Sequence, residues 1–271
     1  MRLGLIGFGN IATTLLALMA RTGLQVRHLT VLTRPAGAVT ARDRLAADFP
    51  GITVKVVTDA AGLLASRPDL VVECAGHAAV TAHLPQILRA GVDVVMVSIG
   101  ALADAALEAE LRRAATGGGA RLILPAGAVG GIDLLSAIGA AGDLKVRYRG
   151  IKPPKAWRGT PAERAVDLDR MTGATVFFSG NARQAATDYP KNANVSATLA
   201  LAGPGFEATG VELVADPDAP GNIHEYDVES PLARYSIRIA NTASAGNAKT
   251  SVTTVWSVLR EIRNRLGPVS I

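Results

Sequence analysis

Leu3-Gly4-Leu5-Ile6-Gly7-Phe8-Gly9-Asn10-Ile11-Ala12 opens the chain as an apolar strand that runs into a G-x-G-x-x-A turn and then into a helix. That order of strand, glycine turn and helix is the one a dinucleotide cradle needs. Gly7 permits the tight turn, Gly9 lets the backbone approach a pyrophosphate, and Ala12 is small enough for the helix to pack on the strand. The helix N-terminus, with Asn10 and Ile11 in it, then faces the phosphate charge. A glycine triplet also occurs in β-turn-α units that hold no ligand. Here the strand before it and the amphipathic helix behind it (Ile11, Leu15, Leu16, Leu18, Met19, ending at Gly23) favour a nucleotide site.

Working outward, strand-like runs alternate with helical ones through the first half of the chain: Val26 to Thr33, Ile52 to Val57, Leu70 to Cys74, Val92 to Ser98 and Arg121 to Leu124. Helices fall between them, His77 to Ala90 closed by Gly91 and Asp104 to Ala115 closed by Gly117 to Gly119. The rhythm predicts an α/β fold whose N-terminal part is a Rossmann doubly wound parallel sheet. Pro125-Ala126-Gly127-Ala128-Val129-Gly130-Gly131 breaks it and reads as a crossing between domains. Beyond it, Lys145 to Ile151, Thr175 to Ser179, Val211 to Ala215, His224 to Ser230 and Arg234 to Ala240 alternate with period two, as strands with one buried and one open face do. Ile132 to Ala141, Asn181 to Tyr189 and Asn194 to Ala202 read as helices on the far face. The second domain is thus expected to be α+β, built on an open-faced mixed sheet. A last helix, Ala248 to Leu266, carries Val252, Val255, Trp256, Leu259, Ile262 and Leu266 near one face and is expected to pack on the nucleotide domain. The expected divisions are 1–128 (dinucleotide-binding), 129–245 (substrate and oligomerisation) and 246–271 (C-terminal helix).

Composition bounds the rest. The chain has 271 residues, 49% of them hydrophobic, enough for two cores, and it carries no run long enough to span a membrane. It starts on a strand and not on a signal peptide, so a cytoplasmic location is expected. The single cysteine, Cys74, ends an apolar strand and reads as a small core filler. The net charge of +5 comes from scattered basic residues, with only 4% aromatics to stack on bases, which argues against nucleic acid. A basic balance suits an anionic small molecule. Metal is not expected, because no His/Cys/Asp cluster has ligand spacing.

NAD-binding sheets of this kind place a carboxylate about 20 residues past the glycines, whereas an arginine there accepts the extra phosphate of NADP. This chain has Thr33-Arg34, and Asp43 lies inside the next helix, so NADP is expected to serve at least as well as NAD unless Arg34 is an ordinary surface arginine. Ligands lie beyond the carboxyl ends of the strands. The segments there, Cys74-Ala75-Gly76, Ser98-Ile99-Gly100 and Pro125 to Ala128, are small, as a ring and ribose lying against backbone require, though small residues also simply make tight turns.

Of the four histidines, His28 sits at the wrong edge of its strand, while His77 and His83 belong to a helix. His224 follows the turn-rich Asp216-Pro217-Asp218-Ala219-Pro220-Gly221-Asn222 and opens a strand of the second domain. An imidazole titrating near pH 6.5 suits the proton step that accompanies hydride transfer. A hydrogen-bonded structural histidine is the competing reading.

Gly7-Phe8-Gly9-Asn10-Ile11-Ala12, Gly127-Ala128-Val129-Gly130-Gly131-Ile132-Asp133, Ile151-Lys152-Pro153-Pro154, Lys191-Asn192-Ala193-Asn194-Val195 and Asn222-Ile223-His224-Glu225, in this order along nearly the whole chain, resemble the L-aspartate dehydrogenase family. The resemblance implies that His224 is the active-site residue and that Ala128 and Asn194 contact the cofactor, NAD or NADP. It implies oxidation of L-aspartate to iminosuccinate, or the reverse from oxaloacetate and ammonia, and a place in the synthesis of the nicotinamide ring. Two substrate carboxylates need cations. Lys152, pinned by two prolines, and Lys191, beside Asn192 and Asn194, are favoured over Lys155, Arg158 and Arg183, and Asn194 also reads as a helix N-cap.

Related readings fit less well. A glucose/inositol-type dehydrogenase carries E-K-P where this chain has Val97-Ser98-Ile99-Gly100, and no H-H-x-x-K segment of a dihydrodipicolinate reductase is present. Another amine, imine or 2-oxo acid oxidoreductase of the same architecture stays open, as does a non-catalytic NADP-sensing regulator. The open sheet face suggests a homodimer.

Overall fold

A computed structural model describes residues 1–190, 192–241, 243–244 and 247–270. They form two compact units, Met1–Pro125 with Val255–Ile271, and Ala126–Thr254. The first unit runs β1 (Arg2–Ile6), α1 (Asn10–Arg21), β2 (His28–Leu32), α2 (Ala38–Asp48), β3 (Thr53–Val57), α3 (Ala60–Leu64), β4 (Leu70–Glu73), α4 (His77–Arg89), β5 (Val94–Met96), α5 (Ala105–Gly118) and β6 (Leu122–Ile123). All neighbouring strands are parallel, in the order β3-β2-β1-β4-β5-β6. The chain winds outward from β1 to β3 and then returns to pair β4 on the other side of β1, so the order reverses next to the glycine turn. Ligands of such sheets bind at that reversal. Leu70, Val71 and Val72 are fully buried, as strands covered on both faces by helices must be. Asp104 caps α5 by accepting from the amides of Ala106 and Leu107, and Gly119 ends it in the left-handed conformation at φ +65.

The second unit runs α6 (Ile132–Gly139), β7 (Lys145–Lys152), α7 (Ala162–Ala165), β8 (Thr175–Asn181), α8 (Ala182–Asp188), α9 (Asn194–Ala202), β9 (Thr209–Ala215), β10 (Asn222–Glu229), β11 (Arg234–Asn241), β12 (Ala243–Ser244) and β13 (Asn247–Ser251). Its five-stranded sheet has the order β11-β10-β7-β9-β8, with β7 and β9 parallel and the other pairs antiparallel. The mixed sheet is therefore as expected from the period-two runs. One face, with Val146 and Tyr148 of β7 and His224, Tyr226 and Val228 of β10, is buried; α8 and α9 lie against the sheet at β9, with α9 also reaching β7. The other face carries cross-strand pairs of opposite charge, Arg149 with Glu212 and Arg238 with Glu225.

Residues 248–251, expected to start the last helix, belong to β13, and α10 spans Val252–Leu266. Val255, Val258, Leu259 and Ile262 enter the core of the first unit beside Leu15, Leu16 and Leu29. Trp256 and Leu266, assigned to the same face from sequence, are 39% and 47% exposed. Each residue turns about 100° around a helix, so Trp256 faces well away from Val255, and Val258 takes the inward place. No helix among the described residues is long and apolar enough to cross a membrane.

Candidate active site

The expected site residues fall in both units. In the first, a cleft of about 950 Å³ opens at the carboxyl ends of β1, β2 and β4, and Gly7, Gly9, Arg34, Ala75 and Gly76 line it. Gly7 has φ +92, and a Cβ there would sit 2.8 Å from the Cβ of Ala75, so the turn after β1 and the turn after β4 approach as closely as a hydrogen side chain permits. A Cβ on Gly9 would meet nothing within 4 Å. The space ahead of α1 is open, and its first turn carries no acidic residue. A pyrophosphate fits that cradle: backbone close by, positive helix end, no competing carboxylate. Asn10, Ile11, Ala12, Ser98 and Gly100 do not line the cleft. Ala12 is fully buried, which is the packing role its size predicts, and Ser98 is held by a residue the sequence reading passed over.

That residue is Glu73, buried at the end of β4. Its Oε1 accepts from the amides of Ala75 at 2.7 Å and Gly76 at 2.8 Å and from the Ser98 hydroxyl at 2.9 Å, and its Oε2 accepts from the Ser98 amide at 3.0 Å. Burial pushes its pKa up while these donors pull it down. One carboxylate thus shapes the turns after β4 and β5. A charged residue closing the run Leu70-Val71-Val72 was the available signal, since a buried carboxylate has to be hydrogen-bonded. The thiol of Cys74 beside it is pushed well up by burial and by the charge of Glu73, which disfavours its thiolate.

Arg34 follows β2 and is exposed on the cleft wall, and Arg44 of α2 lines the same cleft with its guanidinium 5.4 Å from the Phe8 ring centre. No carboxylate lines the cleft among the described residues. Asp43, one position from Arg44, is not on the wall. His77 and His83 of α4 are, and burial lowers the pKa of both.

In the second unit His224 is the third residue of β10 and 3% exposed. Its Nδ1 lies 2.7 Å from the Tyr148 hydroxyl. Burial first, and the charge of Lys152 second, lower its pKa to about 3. The expectation of a ring titrating near 6.5 is therefore not met in the ligand-free fold, because a cation beside a desolvated imidazole opposes a second positive charge. Lys152, the last residue of β7, is 4% exposed; its Nζ donates to Asn192 Oδ1 at 2.9 Å and lies 5.1 Å from the Trp157 ring centre. Among the other cations proposed for substrate, Arg158 pairs with Asp169 and Arg183 with Glu207, while Lys155 is exposed. Lys191 lies outside the described residues.

Asn194 is the first residue of α9 and not its cap; Ala193 holds the N-cap position without a side-chain bond. The crossing lies against β10 and β11. Asn241 Nδ2 donates to the carbonyl of Ala128 at 3.0 Å, and the Tyr226 hydroxyl donates to that of Gly130 at 2.5 Å. Tyr148 has no motif of its own and is visible only through its bond to His224, while Asn192, quoted only as a neighbour of Lys191, takes its role from Lys152.

A parallel sheet reversing at a glycine turn, followed in the chain by an α+β unit with a buried histidine and lysine, is an architecture that suits a nicotinamide-dinucleotide oxidoreductase. Comparison with known proteins narrows the class. Residues 7–125 match the family model described as homoserine dehydrogenase, NAD binding domain, and residues 133–265 match aspartate dehydrogenase, C-terminal. The chain is 44% identical to an L-aspartate dehydrogenase of Ruegeria pomeroyi over 264 residues, 97% of this chain and 92% of that protein. It is also 44% identical to L-aspartate dehydrogenase 2 of Bordetella bronchiseptica, covering 100% of this chain and 98% of the other. A crystal structure of aspartate dehydrogenase from Thermotoga maritima superposes with a TM-score of 0.77 at 29% identity, over 100% of this chain and 99% of that one. The chain belongs to the L-aspartate dehydrogenase family.

Proposed function

We propose that the protein oxidises L-aspartate to iminosuccinate with NADP or NAD, and runs the reverse from oxaloacetate and ammonia. The observation that carries the reading is the pair of buried polar side chains on one sheet face, Lys152 at the end of β7 and His224 in β10, in a chain of this family. Lys152 supplies a desolvated ammonium to a substrate carboxylate, and Asn192 fixes its direction. His224 meets the reacting centre, donating a hydrogen bond to the group on Cα and serving as its proton donor in the reductive direction. The nicotinamide ring, when bound, takes the hydride from Cα. Gly7, Gly9, Ala75 and Gly76 would hold the dinucleotide at the first unit's cleft, and the family resemblance implies that Ala128 and Asn194 also contact the cofactor. Asn10, Ile11 and Ala12 shape the start of α1, and Ser98 and Gly100 back the turn after β5.

A cleft with two arginines and no carboxylate on its wall favours NADP over NAD. The same reading places the protein in the cytoplasm and in nicotinamide ring synthesis, and gives a second copy of the chain the open sheet face to cover. Turnover of L-aspartate, other amino acids, and small 2-oxo acids with ammonia, each with NAD and NADP, tests it. Aspartate with NADP should give the highest kcat/KM among the oxidations; a protein that binds NADP and turns over none of these substrates would be a sensor instead.

A further inference from the structure

We infer that Tyr148 is a positioning residue that fixes the proton of His224 on Nε2, so that the ring meets the substrate as a hydrogen-bond donor. This rests on His224 being the reacting histidine proposed above. Tyr148 and His224 are both buried, and their rings lie 20° from parallel with centres 6.0 Å apart. Tyr148 pairs across the sheet with Tyr226, and the residue that faces His224 from β7 is Gly150. A Cβ at 150 would sit 2.7 Å from the Tyr148 oxygen and 3.2 Å from the carbon that bears it. The missing side chain is what lets the phenol lie along the sheet face and reach the histidine.

Proton counting settles the direction of the bond. A phenol has one hydrogen to donate, and a neutral imidazole has one donor nitrogen and one acceptor nitrogen. Among the described residues Nδ1 is the one hydrogen-bond partner of the Tyr148 hydroxyl. Were the imidazole hydrogen on Nδ1, it would donate to the phenol oxygen, and the buried phenol hydrogen would be left without an acceptor. With the phenol donating, its hydrogen is satisfied by Nδ1 and the imidazole hydrogen must sit on Nε2. Burial reinforces the arrangement, since it keeps the phenol protonated and the ring neutral. The result is a fixed N–H on the sheet face that also carries the Lys152 ammonium, two donors for the oxygens of the substrate.

Long-range proton–nitrogen NMR on the full chain, with nitrogen-labelled histidine and no substrate, reads the tautomer directly. The expected spectrum for His224 is a single neutral form with hydrogen on Nε2; hydrogen on Nδ1 overturns the proposal. Tyr148→Phe should mix the two tautomers and lower kcat/KM for aspartate by about tenfold or more with NADP affinity unchanged. Gly150→Ala reaches the same bond from the other side: its methyl displaces the phenol from the imidazole, and it should do the same while the tyrosine itself is kept. A Tyr148→Phe protein that keeps one Nε2–H tautomer also overturns the proposal. Because the spectrum needs no turnover, failure of the tautomer and failure of the aspartate reading are separate results.

Discussion

Glu73 and Ser98, 25 residues apart in sequence, are joined twice: the Ser98 amide donates to Oε2 at 3.0 Å and its hydroxyl to Oε1 at 2.9 Å. With the amides of Ala75 and Gly76 on the same carboxylate, this clamp holds the turn that faces Gly7. Glu73→Ala would leave three backbone amides without their acceptor, that of Ser98 buried and those of Ala75 and Gly76 only part-buried. At roughly 1 to 3 kcal/mol for a buried unsatisfied group and less where water can reach, a loss of about 2 kcal/mol or more is expected in urea unfolding. Ser98→Ala removes only the hydroxyl bond and should cost about 1 kcal/mol. Equal losses in the two variants would mean that the backbone donors find other partners.

Arg34 and Arg44 stand on one cleft wall, and each should contribute to binding the extra phosphate of NADP. Arg34→Asp is expected to raise the KM for NADP by about tenfold or more, through a lost ion pair and an added repulsion, while the KM for NAD stays level or falls. Arg44→Ala should raise the KM for NADP less, because the remaining arginine still meets the phosphate. An unchanged NADP value in Arg34→Asp would remove that residue from the site.

Local rules account for most of what could be read ahead of the structure. The glycine turn and the glycine stop after α5 are each decided within a few residues, and so are the period-two strands. The phase of α10 was misread because Trp256 is large and apolar, yet a helix buries positions by angle and not by hydrophobicity alone. The site itself was legible only one residue at a time. Lys152 meets Asn192 across 40 positions, and Tyr148 meets His224 across 76, through a sheet order that puts β7 beside β10. Nothing in the sequence around His224 announces that Lys152 will depress its pKa.

The depressed pKa of His224 has a consequence for stability. The ring holds a proton below about 6.5 in an unfolded chain and only below about 3 in the fold. Between these values the unfolded state binds the extra proton, so stability falls as pH falls, by up to about 1.4 kcal/mol per pH unit. From pH 7 to pH 5 the His224 contribution should drop by about 2 kcal/mol. His224→Gln removes that contribution, so urea midpoints at the two pH values should move less in the variant than in the parent. Parallel shifts in both proteins would show that the ring is not desolvated in solution.

Turnover should have its own pH signature, set by the substrate and by His224 together. Hydride can leave Cα only when the amine is neutral, since an ammonium has no lone pair from which to form C=N. Oxidation of aspartate is therefore expected to accelerate from pH 7 towards pH 10 at saturating substrate, provided the chemical step limits turnover. A substrate carboxylate beside Lys152 offsets the charge that helps depress the His224 pKa, so the ring's pKa should rise on binding; succinate, which cannot be oxidised by this route, allows the rise to be followed by histidine NMR. His224→Ala should lower kcat by about a hundredfold or more and leave the affinity for NADP nearly unchanged. If the variant loses NADP affinity to the same degree, His224 serves the fold and not the reaction, and the alkaline rise would then have to come from the substrate amine alone.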